Sequence, residues 1–371
     1  MKRIFSIDWI LFASIIPLLG AGLITMNSFT GDGGFFGRQI IWIAVSLIVF
    51  FGLSFIDFRF LRKTSFSVAF FIGSCAMLLS LFAVGKIAKG ALSWFDFGLF
   101  SFQPSDPIKL VLIIILAKYF SRRHIEIANI KHILVSGLYA FIIFALVLIQ
   151  PDFGSAIIIF LIWLGMVLVS GISKKHLFGM AIVGLIAFAG LWNFGFQDYQ
   201  KNRIKNFIHP LADIHGTGYN SYQSAIAVGS GQVWGKGVGY GTQSRLKFLP
   251  EYQTDFIFSA FAEEWGFVGV TILFFLFGVV VIRIVRISMY GATNFEMLFG
   301  CGVAILIIVH FFINIGMNIQ LLPVTGTTLP FLSYGGTHLL TEFTGLGILM
   351  GMRRYSRVAH KDSIKNEFIG P

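Results

Sequence analysis

Charge is what this sequence has least of. Of its 371 residues, 28 are Lys or Arg and 17 are Asp or Glu, so only 12% are charged, where a soluble domain carries about 25%. With 56% apolar residues and a mean hydropathy of +0.82, there is too little polar surface to cover a water-soluble globule. Soluble classes are excluded. Cysteine is nearly absent: Cys75 and Cys301 each sit inside an apolar run, where a thiol acts as a small hydrophobe, and two such residues supply neither a disulfide framework nor a cysteine metal site. The zinc motif His-Glu-x-x-His, the Gly-x-Ser-x-Gly elbow and the Asp-x-Asp metal motif of many nucleotide-sugar transferases are missing as well, which leaves several common enzyme classes unsupported.

What the sequence does have is long apolar runs. A membrane-spanning helix needs roughly 20 mostly apolar residues in succession, and runs separated by breakers predict ten spans, near residues 8–26, 37–56, 66–84, 104–120, 131–150, 152–170, 176–196, 256–285, 295–322 and 328–352. The expectation is an all-α integral membrane protein, a single polytopic domain over 1–371. A long extracytoplasmic loop, 197–255, lies between the seventh and eighth spans. The first run is too long for a signal-peptide core and no small-residue cleavage site follows it, so it is expected to be retained.

Ten spans put both termini on one side. The short segments of that side carry Lys2, Arg3, Arg59, Arg62, Lys63, Arg122, Arg123, Lys131, Lys174, Lys175, Arg283, Arg286, Arg353, Arg354, Arg357, Lys361 and Lys365, and the positive-inside rule assigns it to the cytoplasm. The net charge of +11 therefore reads as orientation in a cytoplasmic membrane, with no nucleic-acid surface to explain. Asp96, Gln103, Asp106, Lys109, Asp152, Arg203, Glu251, Asp255, Asn314 and the Pro/Gly-rich stretch 323–336 fall at the outer ends of spans or in outer loops. Chemistry is expected outside, where nucleotide-sugar donors are not found.

Five constellations stand out. Gln103-Pro104-Ser105-Asp106-Pro107-Ile108-Lys109 opens the fourth span, with Asp106 and Lys109 on one helix face, either as a helix anchor or at a polar cavity. In Gln150-Pro151-Asp152-Phe153-Gly154, Asp152 either caps the sixth helix or partners Lys109 or Arg203; a Lys109–Asp152 pair is the expectation. Gly229-Ser230-Gly231, Gly235-Lys236-Gly237 and Gly239-Tyr240-Gly241 form either a flexible loop or a backbone cradle for phosphate. Asp255 begins the eighth span, as a helix cap or as a base at the bilayer rim. Glu263 and Glu264, about 12 Å deeper at ~1.5 Å per residue, need partners or neutrality. Lastly, Leu322 to Gly336 interrupts the ninth and tenth spans, and non-helical backbone at membrane depth survives only inside protein or along a cavity. It reads as a site wall.

These residues also carry a resemblance. Leu249-Pro250-Glu251-x-x-Thr254-Asp255-Phe256-Ile257-Phe258 resembles the signature of the SEDS family (RodA, FtsW, SpoVE), polymerases of lipid-linked peptidoglycan precursor. Gln103-Pro104-Ser105, Gln150-Pro151-Asp152-x-Gly154, Asn314-Ile315-Gly316-Met317, Pro323-Val324-Thr325-Gly326 and Leu329-Pro330-Phe331-Leu332-Ser333-Tyr334-Gly335-Gly336 are similar to its other blocks and stand in family order, and Gly241-Thr242-Gln243 with the short termini resembles the RodA branch. The chain departs from the family at Asp106 (usually Glu), Pro107, Gln253 (usually His), Thr327 and Thr328. The resemblance implies a ten-span fold and a glycosyltransferase that polymerises lipid II at the outer leaflet, forming β-1,4 bonds with release of undecaprenyl pyrophosphate, in cell elongation and shape maintenance. It implies Asp255 as general base and Trp94, Gln103, Ser105, Lys109, Asp152, Arg203, Glu251, Thr254, Asn314 and Ser333 as substrate-binding. Arg203, Lys109 and loop amides would meet the pyrophosphate; no protein metal site is implied, and a divalent cation is left open. The implied partners are lipid II, a class B penicillin-binding transpeptidase and the elongation machinery. On bare physics a lipid II flippase or a partner-binding scaffold remains a rival; confinement of ionisable residues to the outer half favours catalysis over flipping.

Overall fold

The computed structural model describes residues 7–28, 34–88, 91–98, 100–122, 130–196, 198–208, 217–246, 248–249 and 251–367. Lys2, Arg3, Arg123 and Pro250, used above, lie outside them. Helices occupy all ten segments expected to span: α1 (Trp9–Asn27), α2 (Gly34–Leu53), α3 (Thr64–Val84), α4 (Ser105–Ser121), α5 (Ile130–Ile149), α6 (Phe153–Val169), α7 (Lys174–Gly190), α11 (Ile257–Met289), α12 (Asn294–Asn318) and α13 (Gly336–Glu367). Among the described residues, seven stretches are long and apolar enough to cross a membrane: α1, α2, α3, α5, Lys174–Asn193, α11 and α12; α6 is a shorter apolar helix. Helix starts are fixed by caps. Asp8 accepts from the Leu11 amide at 3.0 Å, Asp152 from the Ser155 amide at 3.0 Å, and Thr293 from the Glu296 amide at 3.4 Å, with Glu296 accepting in return from the Ala292 amide at 2.9 Å, close to a capping box.

The stretch 197–255 is not a plain loop. It contains α8 (Asp198–Ile208), α9 (Thr217–Ser230) and the single turn α10 (Thr242–Arg245). A second difference lies between α3 and α4. There, β1 (Lys86–Ala88), β2 (Ala91–Asp96) and β3 (Ser101–Phe102) form a small antiparallel sheet with Lys86 opposite Trp94, Phe95 opposite Phe102 and Asp96 opposite Ser101. Strands this short carry too little alternation to be read from sequence.

Burial ranks the helices. In α12, 67% of the apolar window is buried, against 17% in α2 and in α3 and none in Lys174–Asn193. So α12 is the axis, touching α4, α6, α11 and α13, while the peripheral helices present the apolar side chains that make the surface suit lipid. Small residues permit the close contacts expected where helices lack a hydrophobic drive to associate: a Cβ on Gly302 would stand 2.3 Å from Ile113 Cγ2, and one on Gly336 2.1 Å from Trp42.

One clamp ties three helix ends together. Asp8, at the head of α1, receives Arg283 near the end of α11 through Nε at 3.1 Å and through a second, shorter contact, and Arg353 of α13 through Nη1 at 2.9 Å. The start of α1 and these ends of α11 and α13 therefore share one side, as an even number of crossings requires. Burial opposes ionisation of Asp8, but the Arg283 hydrogen bonds, the Leu11 amide and the Arg353 charge prevail and hold its carboxyl below the usual carboxylate range. A carboxyl so lowered stabilises the fold above its unfolded pKa of about 3.9 and loses that contribution as pH falls through the folded value. Asp8→Asn should cost about 1.5–3 kcal/mol, the range for hydrogen bonds to charged groups. Thermal unfolding in detergent should show this loss at pH 7 and a shrinking difference from the parent chain below pH 4.

Candidate active site

Helix α12 stops at Asn318, four residues earlier than expected. Gln320 turns to φ +59° and the amides of Leu321 and Leu322 fold back onto the Gly316 carbonyl at 2.7 and 3.0 Å. Helix α13 begins only at Gly336, eight residues later than expected, because Pro330 and Phe331 at φ +59° break the helical path. Residues 323–335 therefore have no helical ladder, and side chains satisfy their backbone instead. Asn314 donates to the Thr327 carbonyl at 2.7 Å, Arg203 to that of Thr325 at 3.4 Å and Gln39 to that of Ser333 at 3.2 Å; the Leu329 amide donates to Ser333 Oγ at 2.8 Å and the Phe331 amide to Glu342 at 3.2 Å. Helices α1 and α6 press against this segment. A Cβ on Gly22 would lie 2.3 Å from the Leu332 carbonyl oxygen and one on Gly154 2.6 Å from that of Thr325.

Asp255 stands beside this wall. The turn before α11 is closed by the Glu251 carbonyl, which accepts from the amides of Thr254, Asp255 and Phe256 at 3.1, 3.1 and 3.2 Å. Glu251 has φ +53° and its carboxylate accepts from Thr254 Oγ1 at 3.0 Å. Ser333 Oγ donates to the Thr254 carbonyl at 2.7 Å, and the Tyr334 amide to the Gln253 carbonyl at 2.8 Å, so the turn and the wall are stitched together. Phe256, not Asp255, is the N-cap residue of α11, and no side-chain cap bond is made from it. The half-buried carboxylate of Asp255 faces Gly326, with Oδ2 3.6 Å from where a Cβ on that glycine would stand.

A second cluster lies behind the wall. Lys109 Nζ is 2.9 Å from Asp106 Oδ1, Thr337 Oγ1 donates to Asp106 Oδ2 at 3.0 Å, and His338 sits between Asp106 at 3.8 Å and Glu342 at 3.0 Å. His310 approaches Lys109 at 3.5 Å and the Thr328 carbonyl at 3.4 Å, its ring 4.3 Å from that of His338. The five ionisable side chains are all buried. The expected Lys109–Asp152 pair is not formed. Lys109 is satisfied by its own helix, one turn away, while Asp152 caps α6 and accepts from Gln103 Nε2 at 2.9 Å, a reach α4's ammonium does not share. Ser105 meets Ser155 at 3.2 Å, joining the heads of α4 and α6. Trp94 lies half-buried on β2, outside these bonded sets.

The glycine-rich stretch packs against α11. Helix α11 is broken at Gly266 (φ +63°, ψ −167°), and residues 231–243 fold onto the break. The amides of Phe267 and Val268 donate to the carbonyls of Gln232 and Val233 at 2.8 and 3.1 Å, and those of Lys236 and Gly237 to Glu263 and Glu264 at 2.9 and 3.0 Å. The same loop supplies the partners that the two glutamates needed: Lys236 Nζ at 2.7 Å and the Gln243 amide at 3.1 Å for Glu263, and the Gly239 amide at 2.6 Å for Glu264. The glycines permit this backbone-to-backbone approach; a Cβ on Gly231 would fall 2.0 Å from the Ala262 carbonyl oxygen.

Sequence reading missed His310, His338, Glu342, Gln39 and Asn318. The first three were discoverable, since an ionisable residue inside an apolar helix marks a polar interior by default, and His338 and Glu342 are one turn apart. Lys109→Met strips the ammonium from a cluster that still holds Asp106 and Glu342. In thermal unfolding, Lys109→Met should therefore destabilise more than Lys109→Met combined with Asp106→Leu, with a coupling energy of about 1–3 kcal/mol; additive losses would show that the charges do not share a network.

Comparison with known proteins agrees with this architecture. The cell cycle protein family FTSW_RODA_SPOVE matches residues 3–358. Peptidoglycan glycosyltransferase MrdB of Escherichia coli (strain K12) is 35% identical over 345 residues, covering 93% of this chain and 92% of that protein, and stage V sporulation protein E of Bacillus subtilis (strain 168) is 35% identical over 367 residues, covering 95% and 98%. Among solved structures, a chain from a study of the structural coordination of polymerization and crosslinking by a peptidoglycan synthase complex aligns with a TM-score of 0.81 at 28% identity, covering 94% of this chain and 98% of that one. The rod shape determining protein RodA of Thermus thermophilus aligns with a TM-score of 0.70 at 28% identity, covering 94% and 96%. With a matching fold, and with the Asp255 turn, the interrupted wall and the α4 and α6 heads assembled around one another, the chain belongs to the FtsW/RodA/SpoVE family.

Proposed function

We propose that this chain is a RodA-like peptidoglycan glycosyltransferase, polymerising lipid II at the outer leaflet of a bacterial cytoplasmic membrane during cell elongation. The observation that carries the reading is the placement of Asp255: a half-buried carboxylate at the head of an apolar helix, held by its backbone and turned toward Gly326. A substrate with its lipid tail in the bilayer brings its sugars to that level. The acceptor GlcNAc 4-hydroxyl attacks C1 of the donor MurNAc; the new C–O bond forms as the C1–O bond to pyrophosphate breaks, and the hydroxyl proton passes to Asp255. Undecaprenyl pyrophosphate leaves with the bonding electrons. Arg203, half-buried beside a hollow lined by Asn206, Phe207, Ser221, Pro323 and Val324, is the cation placed to receive that charge. Lys109, sealed against Asp106, supports the wall instead. Among the described residues no group of three His, Cys, Asp or Glu is disposed to hold a metal ion, and no step is routed through one.

The depth of the polar groups separates this reading from a flippase. Between Lys109 and Lys118 in α4, Glu296 and His310 in α12, and Glu342 and Arg353 in α13 there is no Asp, Glu, Lys, Arg or His. The ionisable cluster ends where a path through the core would have to continue. The class B transpeptidase and the elongation machinery belong to the same proposal, as does the sidedness: both termini cytoplasmic and the Asp255 turn outside.

Asp255→Asn keeps the shape and removes the base. The variant should fold, reach the membrane and bind its transpeptidase, while glycan polymerisation from purified lipid II falls by roughly 10²-fold or more; near-normal strand synthesis would overturn the mechanism, and intact flipping with lost polymerisation would separate the two activities. For sidedness, cysteines introduced at the exposed positions Ser65 and Arg245, in a chain lacking Cys75 and Cys301, should react with impermeant maleimide from opposite sides. Labelling of both from one side would refute the orientation.

A further inference from the structure

Helix α11 opens at Phe256, whose side chain makes no cap bond. The Ser259 amide of the first turn donates to the Phe256 carbonyl at 3.1 Å and is shared with a side chain from another helix. Asn318, the last residue of α12, places Oδ1 3.3 Å from the Ser259 amide and 2.6 Å from Ser259 Oγ. Its Nδ2 donates to the Asp255 carbonyl at 3.0 Å, alongside Asn314 Nδ2 at 3.0 Å. One amide side chain thus bridges the peptide of Asp255 to the first turn of the helix that follows. The bridge is itself held: Ser224 of α9 donates to the Asn318 carbonyl at 2.8 Å and meets Ser259 Oγ at 2.6 Å. Ser224, Ser259, Asn314 and Asn318 are all fully buried, so water does not compete for these bonds.

From this geometry we infer that Asn318 is a positioning residue for Asp255: by tying the Asp255 carbonyl to Ser259 in the first turn of α11, it holds the aspartate beside Gly326 and toward the acceptor hydroxyl. The inference rests on the reading of Asp255 as general base. Asn318 does not touch the reacting atoms. Its effect runs through the two backbone bonds that set where the Asp255 peptide lies, and a displacement of about 1 Å in a catalytic group can cost 10²-fold in rate.

The test is steady-state polymerisation by the full chain with its transpeptidase partner in lipid vesicles, normalised to folded protein and accompanied by thermal unfolding. Asn318→Leu keeps the volume but removes both amide bonds; kcat should fall by roughly 10- to 100-fold while KM stays within about twofold. Asn318→Gln restores a donor and an acceptor on a longer arm and should recover part of kcat. If Asn318→Leu does not fold, Ser259→Ala, which removes the 2.6 Å hydroxyl bonds to Asn318 and Ser224 and leaves the Asn318 amide in place, supplies the answer through a smaller fall in kcat at unchanged KM. A purely structural role predicts lower melting temperatures with unaltered kcat per folded molecule, and that result overturns the inference, as would equal kcat for the Leu and Gln variants. Asp255→Asn run in parallel keeps the two claims apart: if it retains full activity the base assignment fails, whereas an inactive Asp255→Asn with a fully active Asn318→Leu refutes only the positioning role.

Discussion

Residues 323–335 cross membrane depth without a helix, and a backbone amide or carbonyl left bare there costs several kcal/mol. Most of the polar residues gathered near Asp255 can be understood as answers to that deficit. Asn314, Arg203 and Gln39 reach in from α12, α8 and α2 to the carbonyls of Thr327, Thr325 and Ser333, while Glu342 receives the Phe331 amide. Gly22 and Gly154 let α1 and α6 come close enough to exclude lipid. The wall is stable because the surrounding helices supply the ladder it lacks.

The same logic governs the buried charges. Glu263 and Glu264 lie within α11, where carboxylates would be expensive in isolation, and both are met by the re-entrant stretch 231–243 folded against the break at Gly266. Asp106 is met by Lys109, Thr337 and His338. In that second cluster two carboxylates, Asp106 and Glu342, face one ammonium, and His338 stands between them at 3.8 and 3.0 Å. Buried pairs of this kind add little net stability but penalise any arrangement that separates them. They therefore fix the relative register of α4, α12 and α13 behind the wall, which a purely apolar interface of Leu and Ile would leave less sharply defined.

For a glycosyltransferase acting on a lipid-linked sugar, these two features have separate uses. The charged cluster and the small-residue contacts brace the helices behind the wall. The turn 251–256 is stitched to that wall through Ser333 and Tyr334 and holds Asp255 at the head of α11. Arg203 belongs to α8, one of the helices within 197–255, so the residues proposed to receive the leaving group and the proton come from different elements that meet at Thr325 to Thr327.

Much of this was written into the sequence. Apolar runs about 20 residues long determine helices in a bilayer regardless of their neighbours, because intrahelical bonding is the cheapest way to satisfy the backbone there. Lys and Arg counts bear on sidedness for a similarly local reason, and motifs as dense as Leu249 to Phe258 and Leu329 to Gly336 identify the family. Partner choice was a different matter. Lys109 was expected to reach Asp152 across two helices and instead pairs one turn away with Asp106, while Asp152 takes Gln103; which of several nearby groups an ion meets depends on helix rotation, and periodicity does not encode rotation in a helix that is apolar all round. The glycines of 229–241 read equally as a flexible loop or a phosphate cradle, and only the folded chain shows Gly231 and Gly235 pressed against the carbonyls of Ala262 and Glu264 at a break in α11. Asn318 gave no local signal at all, since the Ser259 that it bonds lies 59 residues earlier in the chain. Local sequence determined which apolar runs become helices; the tertiary structure alone decided which polar side chain satisfies which buried group, because that depends on distances between segments far apart in the chain.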